Sequence, residues 1–188
     1  MSIRFTRPTS ADLCALAEAG AGDALTYAPV GLSAMPVAPP GYRLDRWSRS
    51  LGNDALTFGR AAEAIRQWRV HEGAGLIVHA DGPPAKNSVV AMAAPLPLGY
   101  IDVVCRVIDV IDQPGRFGFS YGTLPVHPEQ GEESFTVCRH DDGTVVFEIV
   151  AVSRPRHILA RAVPPVARRL QRAATNRYLD AMQRAVNS

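Results

Sequence analysis

Phe117-Gly118-Phe119-Ser120-Tyr121-Gly122-Thr123-Leu124-Pro125-Val126-His127-Pro128-Glu129-Gln130-Gly131-Glu132-Glu133-Ser134-Phe135 decides how this chain folds. Phe117, Phe119 and Tyr121 recur at period two, which sets them on one face of a strand. A polar corner rich in Gly and Pro follows, and the next strand opens on the paired carboxylates Glu132 and Glu133. Phe135 and Val137 continue that strand. After Asp141-Asp142-Gly143, a third run carries Val145, Phe147, Ile149 and Ala151 and closes at Ser153-Arg154-Pro155. Asp-Gly between two alternating runs is a hairpin signal.

Working outward, Ile101, Val103, Cys105, Val107 and Ile111 share one face of a long strand, with Asp102 and Arg106 on the other. Consecutive strands with tight turns imply an antiparallel meander. Tyr42 to Ser50 alternates too, but with so much charge that it reads as an edge strand. Between these, Asn53 or Asp54 caps a helix expected to run to about Glu72, with Phe58, Ala61, Ala62, Ile65 and Trp68 on one face and Gly73 and Gly75 at its end. The Pro36, Pro39, Pro40 and Gly41 segment belongs on a surface. Residues 1–23, with a short helix pattern over Ala11 to Ala19, form an N-terminal arm, and 24–188 form one domain.

A final helix is expected from roughly Arg156 to Val186. Its apolar stripe is Leu159, Val163, Val166, Leu170, Ala174, Tyr178, Met182 and Val186, with a break or kink at Pro164-Pro165. A long amphipathic helix after a curved antiparallel sheet lies across the concave face, and small facing side chains leave a cavity there. The expected class is α+β: a curved antiparallel sheet wrapped around a long C-terminal helix.

The composition is that of an ordinary globular chain: 188 residues, 47% apolar, 20% charged, net charge +2. Residues 154–188 carry eight Arg against Asp180, a solvated face or a contact surface. Basic residues interleaved with aromatics are lacking, so nucleic acid is not an expected partner. Cys14, Cys105 and Cys138 have no metal-ligand spacing, and Cys105 and Cys138 sit in apolar strand patterns. Neither a metal nor a cofactor is expected, because no P-loop or dinucleotide fingerprint occurs. Asp12 and Glu18 interrupt any signal-peptide layout, and Pro95, Pro97 and Asp102 interrupt the longest apolar region. A cytoplasmic protein without stable membrane insertion is expected, and a homodimer is compatible with the sequence.

His127, Glu129, Glu132 and Glu133 form the densest polar constellation. Glu132 and Glu133 point to opposite faces of a strand, so only one enters a cavity. A carboxyl there has its pKa raised and can move protons, with His127 as partner, which makes His127, Glu132 and Glu133 the candidate catalytic residues. The competing reading is a structural corner, in which a carboxylate accepts N–H bonds from the Tyr121-Gly122-Thr123 turn and His127 caps it. Phe117, Phe119, Tyr121, Thr123, Phe135 and Tyr178 are the candidate ligand contacts, against the alternative that the aromatics are simply core. Ser153 and Pro155 suit a helix N-cap and first turn rather than a catalytic role.

Tyr27-Ala-Pro-Val-Gly31, Pro40-Gly-Tyr42, Ala61-Ala-Glu-Ala-Ile-Arg-Gln-Trp68-Arg, Gly118-Phe-Ser-Tyr121-Gly-Thr-Leu, His127-Pro128-Glu129, Gly131-Glu132-Glu133, Ser153-Arg-Pro155 and Tyr178-Leu179 together resemble the domain of unknown function 1990 family (UPF0548-type). Coverage runs from about residue 24 to 186. The departure is Lys86-Asn87-Ser88, where relatives tend to place Gly. The resemblance implies a helix-grip fold of the START-like superfamily, whose members bind lipophilic ligands or act as cyclases and hydrolases. The expected function is therefore binding of a lipophilic small molecule between sheet and helix. One alternative is an enzyme of cyclase, dehydratase or hydrolase type acting on a polyketide-like substrate through a cavity carboxyl and His127. Another is a non-catalytic interaction module using Arg168, Arg169 and Arg172 on the last helix.

Overall fold

A computed structural model describes residues 2–156 and 164–188, and the side chains of all these except 164–172. Eight strands form one antiparallel sheet: β1 (Ile3–Arg4), β2 (Arg43–Gly52), β3 (Ile77–His79), β4 (Val89–Leu96), β5 (Gly99–Gln113), β6 (Arg116–Thr123), β7 (Glu129–Arg139) and β8 (Val145–Pro155). The order is β2-β8-β7-β6-β5-β4-β3, with β1 beside the first residues of β5. The four helices are α1 (Ser10–Gly20), α2 (Ala55–Arg66), α3 (Arg69–Gly73) and α4 (Pro164–Asn187).

The meander follows from the alternation. Phe119 pairs Phe135, which pairs Ile149, which pairs Trp47, and all four side chains belong to the core between sheet and helices. Phe117, Val137, Phe147, Ile65, Trp68 and Met182 complete this apolar layer under α2, α3 and α4. Phe135 and Phe147 are fully buried, so truncating either to Ala removes about 3–5 kcal/mol of stability. β2 pairs β8 alone, as its charge suggests for an edge.

The single helix expected from Asn53 to Glu72 is two. Asp54 caps α2 by accepting from Thr57 N–H, but α2 ends at Arg66 and Trp68 takes the left-handed region at φ 58°, where a helix C-terminus usually places Gly. Two contacts hold Trp68 there: its indole Nε1–H donates to the Gly82 carbonyl at 2.9 Å, and its ring meets Phe119 edge-on at 5.0 Å. The apolar period runs straight across this break, which hides it from a periodicity argument. Asn87 likewise holds φ 72°, a conformation Gly adopts freely and Asn tolerates, so the Lys86-Asn87-Ser88 departure preserves the turn.

The N-terminal arm is docked. A capping box between Thr9 and Asp12 starts α1, and Leu13 packs with Ala91, Ala93, Val104 and Leu124 on the outer face of the sheet. Arg4 Nε donates to both oxygens of the fully buried Asp102 at 2.9 and 3.0 Å. Arg106 donates to the carbonyls of Gly20, Ala21 and Asp23.

Ahead of the last helix, the expected cap is not formed. Ser153 and Pro155 remain in β8 and Arg156 is a bend, so Ser153 is no N-cap; sheet pairing with Gly131 and Arg43 claims it first. The described part of the last helix runs from Pro164 to Asn187; residues 157–163 lie outside the described residues. Thr175, Tyr178, Leu179, Met182 and Val186 turn inward, whereas Ala174 is exposed. Leu159 and Val163 lie outside the described residues, as do the side chains of Val166 and Leu170.

Candidate functional site

The strand opening at Glu129 separates two neighbouring carboxylates onto two faces of the sheet. Gly122, Glu132, Val152 and Leu44 pair in one line across four strands, and Tyr121, Glu133, Ala151 and Asp45 pair in the next. Side chains of adjacent lines emerge on opposite sides.

Glu132 faces outward and is covered by the segment Tyr27–Ser33. Its Oε1 accepts from the Tyr27 hydroxyl at 2.7 Å and Gly31 N–H at 2.6 Å; its Oε2 accepts from Ser33 N–H at 2.9 Å and the Ser33 hydroxyl at 3.1 Å. Only 2% of the residue is exposed. Four donors on one buried carboxylate make it the clasp that holds the loop. Gly122 provides the floor, since a Cβ there would lie 2.2 Å from the Tyr27 hydroxyl oxygen. Glu132 is also among the residues that line the cavity described next, but both of its carboxylate oxygens are taken by these donors, an arrangement that suits a structural role. The structural-corner alternative holds in kind, but its N–H donors come from residues 31 and 33, not from the Tyr121–Thr123 turn.

Glu133 faces inward, into a cavity of about 340 Å³ between β6, β7, β8 and α4. The cavity exists because small residues stand where the helix crosses: Gly131, Ala151, Ser153, Ala174 and Thr175. Gly131 is obligatory on its own account. Its φ is +147°, and a Cβ would sit 1.9 Å from the Val152 carbonyl oxygen. Tyr121 donates its hydroxyl to Glu133 Oε2 at 2.9 Å. Removal from water raises the Glu133 carboxyl to about 7, against the lowering effect of that bond, with Glu129 raising it further. Tyr121 and Tyr178 are both pushed well above the ordinary phenol range, by burial first and then by the Glu133 charge.

His127 lines the same cavity. Its Nδ1 accepts from Glu129 N–H at 2.9 Å, which leaves the ring proton on Nε2. Burial lowers its pKa to about 4, so the imidazole is neutral near pH 7. The Glu129 carboxyl is raised, by burial foremost, and hydrogen-bonds Ser153. Thr123 also lines the wall and accepts Gly131 N–H at 3.0 Å.

Of the expected ligand contacts, Tyr121, Thr123 and Tyr178 thus meet at the cavity. Phe117, Phe119 and Phe135 do not line it; they are filled core, 3%, 2% and 0% exposed. Arg66 stacks over the Phe117 ring at 4.1 Å. The side chains of Arg168, Arg169 and Arg172 fall outside the described residues.

Two features escaped the sequence reading. His71, 1% exposed, sits among Trp68, Phe119, Tyr121, Phe135 and Tyr178 with ring centroids 4.6–6.0 Å away. Neither ring nitrogen meets a hydrogen-bond partner among the described residues, and burial lowers its pKa to about 3. Only its position one turn from Trp68 on the apolar face signals this. The second is Gly118-Phe119-Ser120-Tyr121-Gly122, which carries the Gly-x-Ser-x-Gly spacing. It runs through the middle of β6 with no strand-to-helix turn, so Ser120 is no nucleophile elbow. Among the described residues no cluster of three or more His, Cys, Asp or Glu could hold a metal. No described helix is long and apolar enough to cross a membrane.

An antiparallel sheet gripping a long C-terminal helix, with a cavity between them, defines the START-like helix-grip class. Two solved structures share the fold. A hypothetical protein from Helicobacter pylori superimposes with TM-score 0.58 at 11% identity, covering 85% of this chain and 94% of that one. Human STARD10 superimposes with TM-score 0.52 at 14% identity, covering 96% and 80%. Residues 26–181 match the family described as Domain of unknown function (DUF1990), and the chain belongs to that family. A UPF0548 protein of Deinococcus radiodurans is 28% identical over 189 residues, 95% of this chain and 96% of the relative.

Proposed function

We propose that this protein binds a lipophilic small molecule in the cavity between β6–β8 and α4, with Tyr121, Glu133, His127 and Tyr178 as its polar contacts. The observation that carries this reading is a cavity of about 340 Å³, within the range of small-molecule sites, in which a few convergent polar groups interrupt apolar walls. The START-like fold supports it as a class of architecture. Glu132 is left out of the contact set because donors from residues 27–33 take both of its carboxylate oxygens. Native mass spectrometry of freshly purified protein, before and after solvent denaturation, tests the reading. A bound mass that disappears on denaturation is the expected result. If the folded protein stays free of added mass across a panel of apolar compounds, the reading fails.

A second reading, acid–base catalysis on an apolar substrate, is favoured by the Glu133 carboxyl. A group raised to about 7 gives and takes protons at neutral pH, and Tyr121 orients it through a 2.9 Å hydrogen bond. Glu133→Gln separates the two readings: a binder keeps an apolar ligand, whereas an enzyme keeps the ligand and loses turnover.

A further inference from the structure

Resting on the cavity-binding reading, we propose that the ligand is an apolar amine whose ammonium group sits on Glu133. The carboxylate is half-satisfied. Oε2 accepts from Tyr121, while Oε1 has no hydrogen-bond partner among the described residues. Glu133 also forms no ion pair with any described cation.

Among the described residues, the groups acting on it are Tyr121 from β6, Cys105 from β5, Tyr178 from α4, and Glu129 from its own strand. All are neutral or negative. Of the described cations nearby, Arg43 acts on Glu129 and Arg156 on His127. A half-buried carboxylate that lines an apolar cavity and pairs with no cation among the described residues gains from a cation supplied by the ligand.

An ammonium group supplies that charge together with three N–H donors. Tyr121 and Tyr178 line the same wall, and aromatic rings attract an ammonium group. A carboxylate ligand would instead add a third negative charge beside Glu129 and Glu133. Only ionised Glu133 pairs with the amine, so apparent affinity follows the ionised fraction. With that carboxyl near 7, the affinity rises about tenfold between pH 6 and pH 8.

Isothermal titration calorimetry with decylamine, decanol and decanoate, on wild type and Glu133→Gln, tests this. At pH 8 the wild type should bind decylamine at least about tenfold more tightly than decanol, with decanoate weakest. In Glu133→Gln, the preference for the amine over decanol disappears. Decanol or decanoate binding as tightly as decylamine overturns the proposal while leaving the cavity reading standing. An amine preference that survives in Glu133→Gln does the same. Binding of none of the three overturns both. If Glu133→Gln does not fold, the wild-type pH series decides: amine affinity that fails to rise between pH 6 and pH 8 is fatal to the proposal.

Discussion

Tyr121 and Glu133 are register partners on β6 and β7, and the hydroxyl of one donates to the carboxylate of the other at 2.9 Å inside the cavity. A cross-strand pair of this kind is fixed by the pairing of the sheet, not by a loop. The geometry of the polar group therefore persists when the cavity walls are altered.

Glu133 lowers the stability of the fold at neutral pH. Its carboxyl sits near 7 in the folded protein against an ordinary 4.5, so between those values the unfolded chain has released a proton that the folded one still holds. Stability falls as pH rises through this window, by roughly 2–3 kcal/mol in all once solvent in the cavity is allowed for. Glu133→Gln should melt higher than wild type at pH 8 and together with it at pH 4, by differential scanning calorimetry.

His71 acts with the opposite sign. Its folded pKa near 3 lies below the ordinary 6.5, so below pH 6.5 the unfolded chain takes up a proton that the folded one refuses. Stability is lost as pH falls through that window, at about 1.4 kcal/mol per pH unit. His71→Leu removes both the titration and two unsatisfied nitrogens. Its acid unfolding midpoint, followed by circular dichroism, should move to lower pH, with stability at pH 7 unchanged or about 1 kcal/mol higher.

Loss of the Glu132 clasp destabilises without touching the cavity polar groups. Glu132→Ala leaves Tyr27, Gly31 and Ser33 donors without their acceptor, a cost of about 3 kcal/mol or more in urea unfolding. Tyr27→Phe removes one donor and costs about 1 kcal/mol. In the double mutant the two effects should fall short of additive, because they delete the same bond.

Ala151→Leu fills the cavity from the floor. Ala151 lines the wall beside Glu133, so the added methylenes enter open space rather than a packed core. The variant should hold its melting temperature within a few degrees and lose more than about tenfold in affinity for any cavity ligand, measured by calorimetry.

Much of this arrangement was legible in the sequence. Period-two aromatics through Phe117, Phe119, Tyr121 and Phe135, with the Asp-Gly turn, gave the meander, and adjacency of Glu132 and Glu133 gave opposite faces. Which face belonged to which carboxylate was not legible. That depended on a segment about a hundred residues upstream, Tyr27–Ser33, bringing donors to one side, and nothing local encodes such a meeting. The Trp68 break was hidden because the apolar period continues through it. His71 was overlooked because its ring contacts come from β6, β7, α4 and the turn at Trp68.

Glu132 and Glu133 are consecutive, and this has a consequence for how mutations propagate. The outer loop holds the carboxylate of the residue next to the acid that faces the interior, so two neighbouring side chains of one strand answer to different partners on its two faces. A substitution at Tyr27 or Ser33, both buried on the face away from the cavity, is therefore felt as a loss of stability while the chamber keeps its own polar groups.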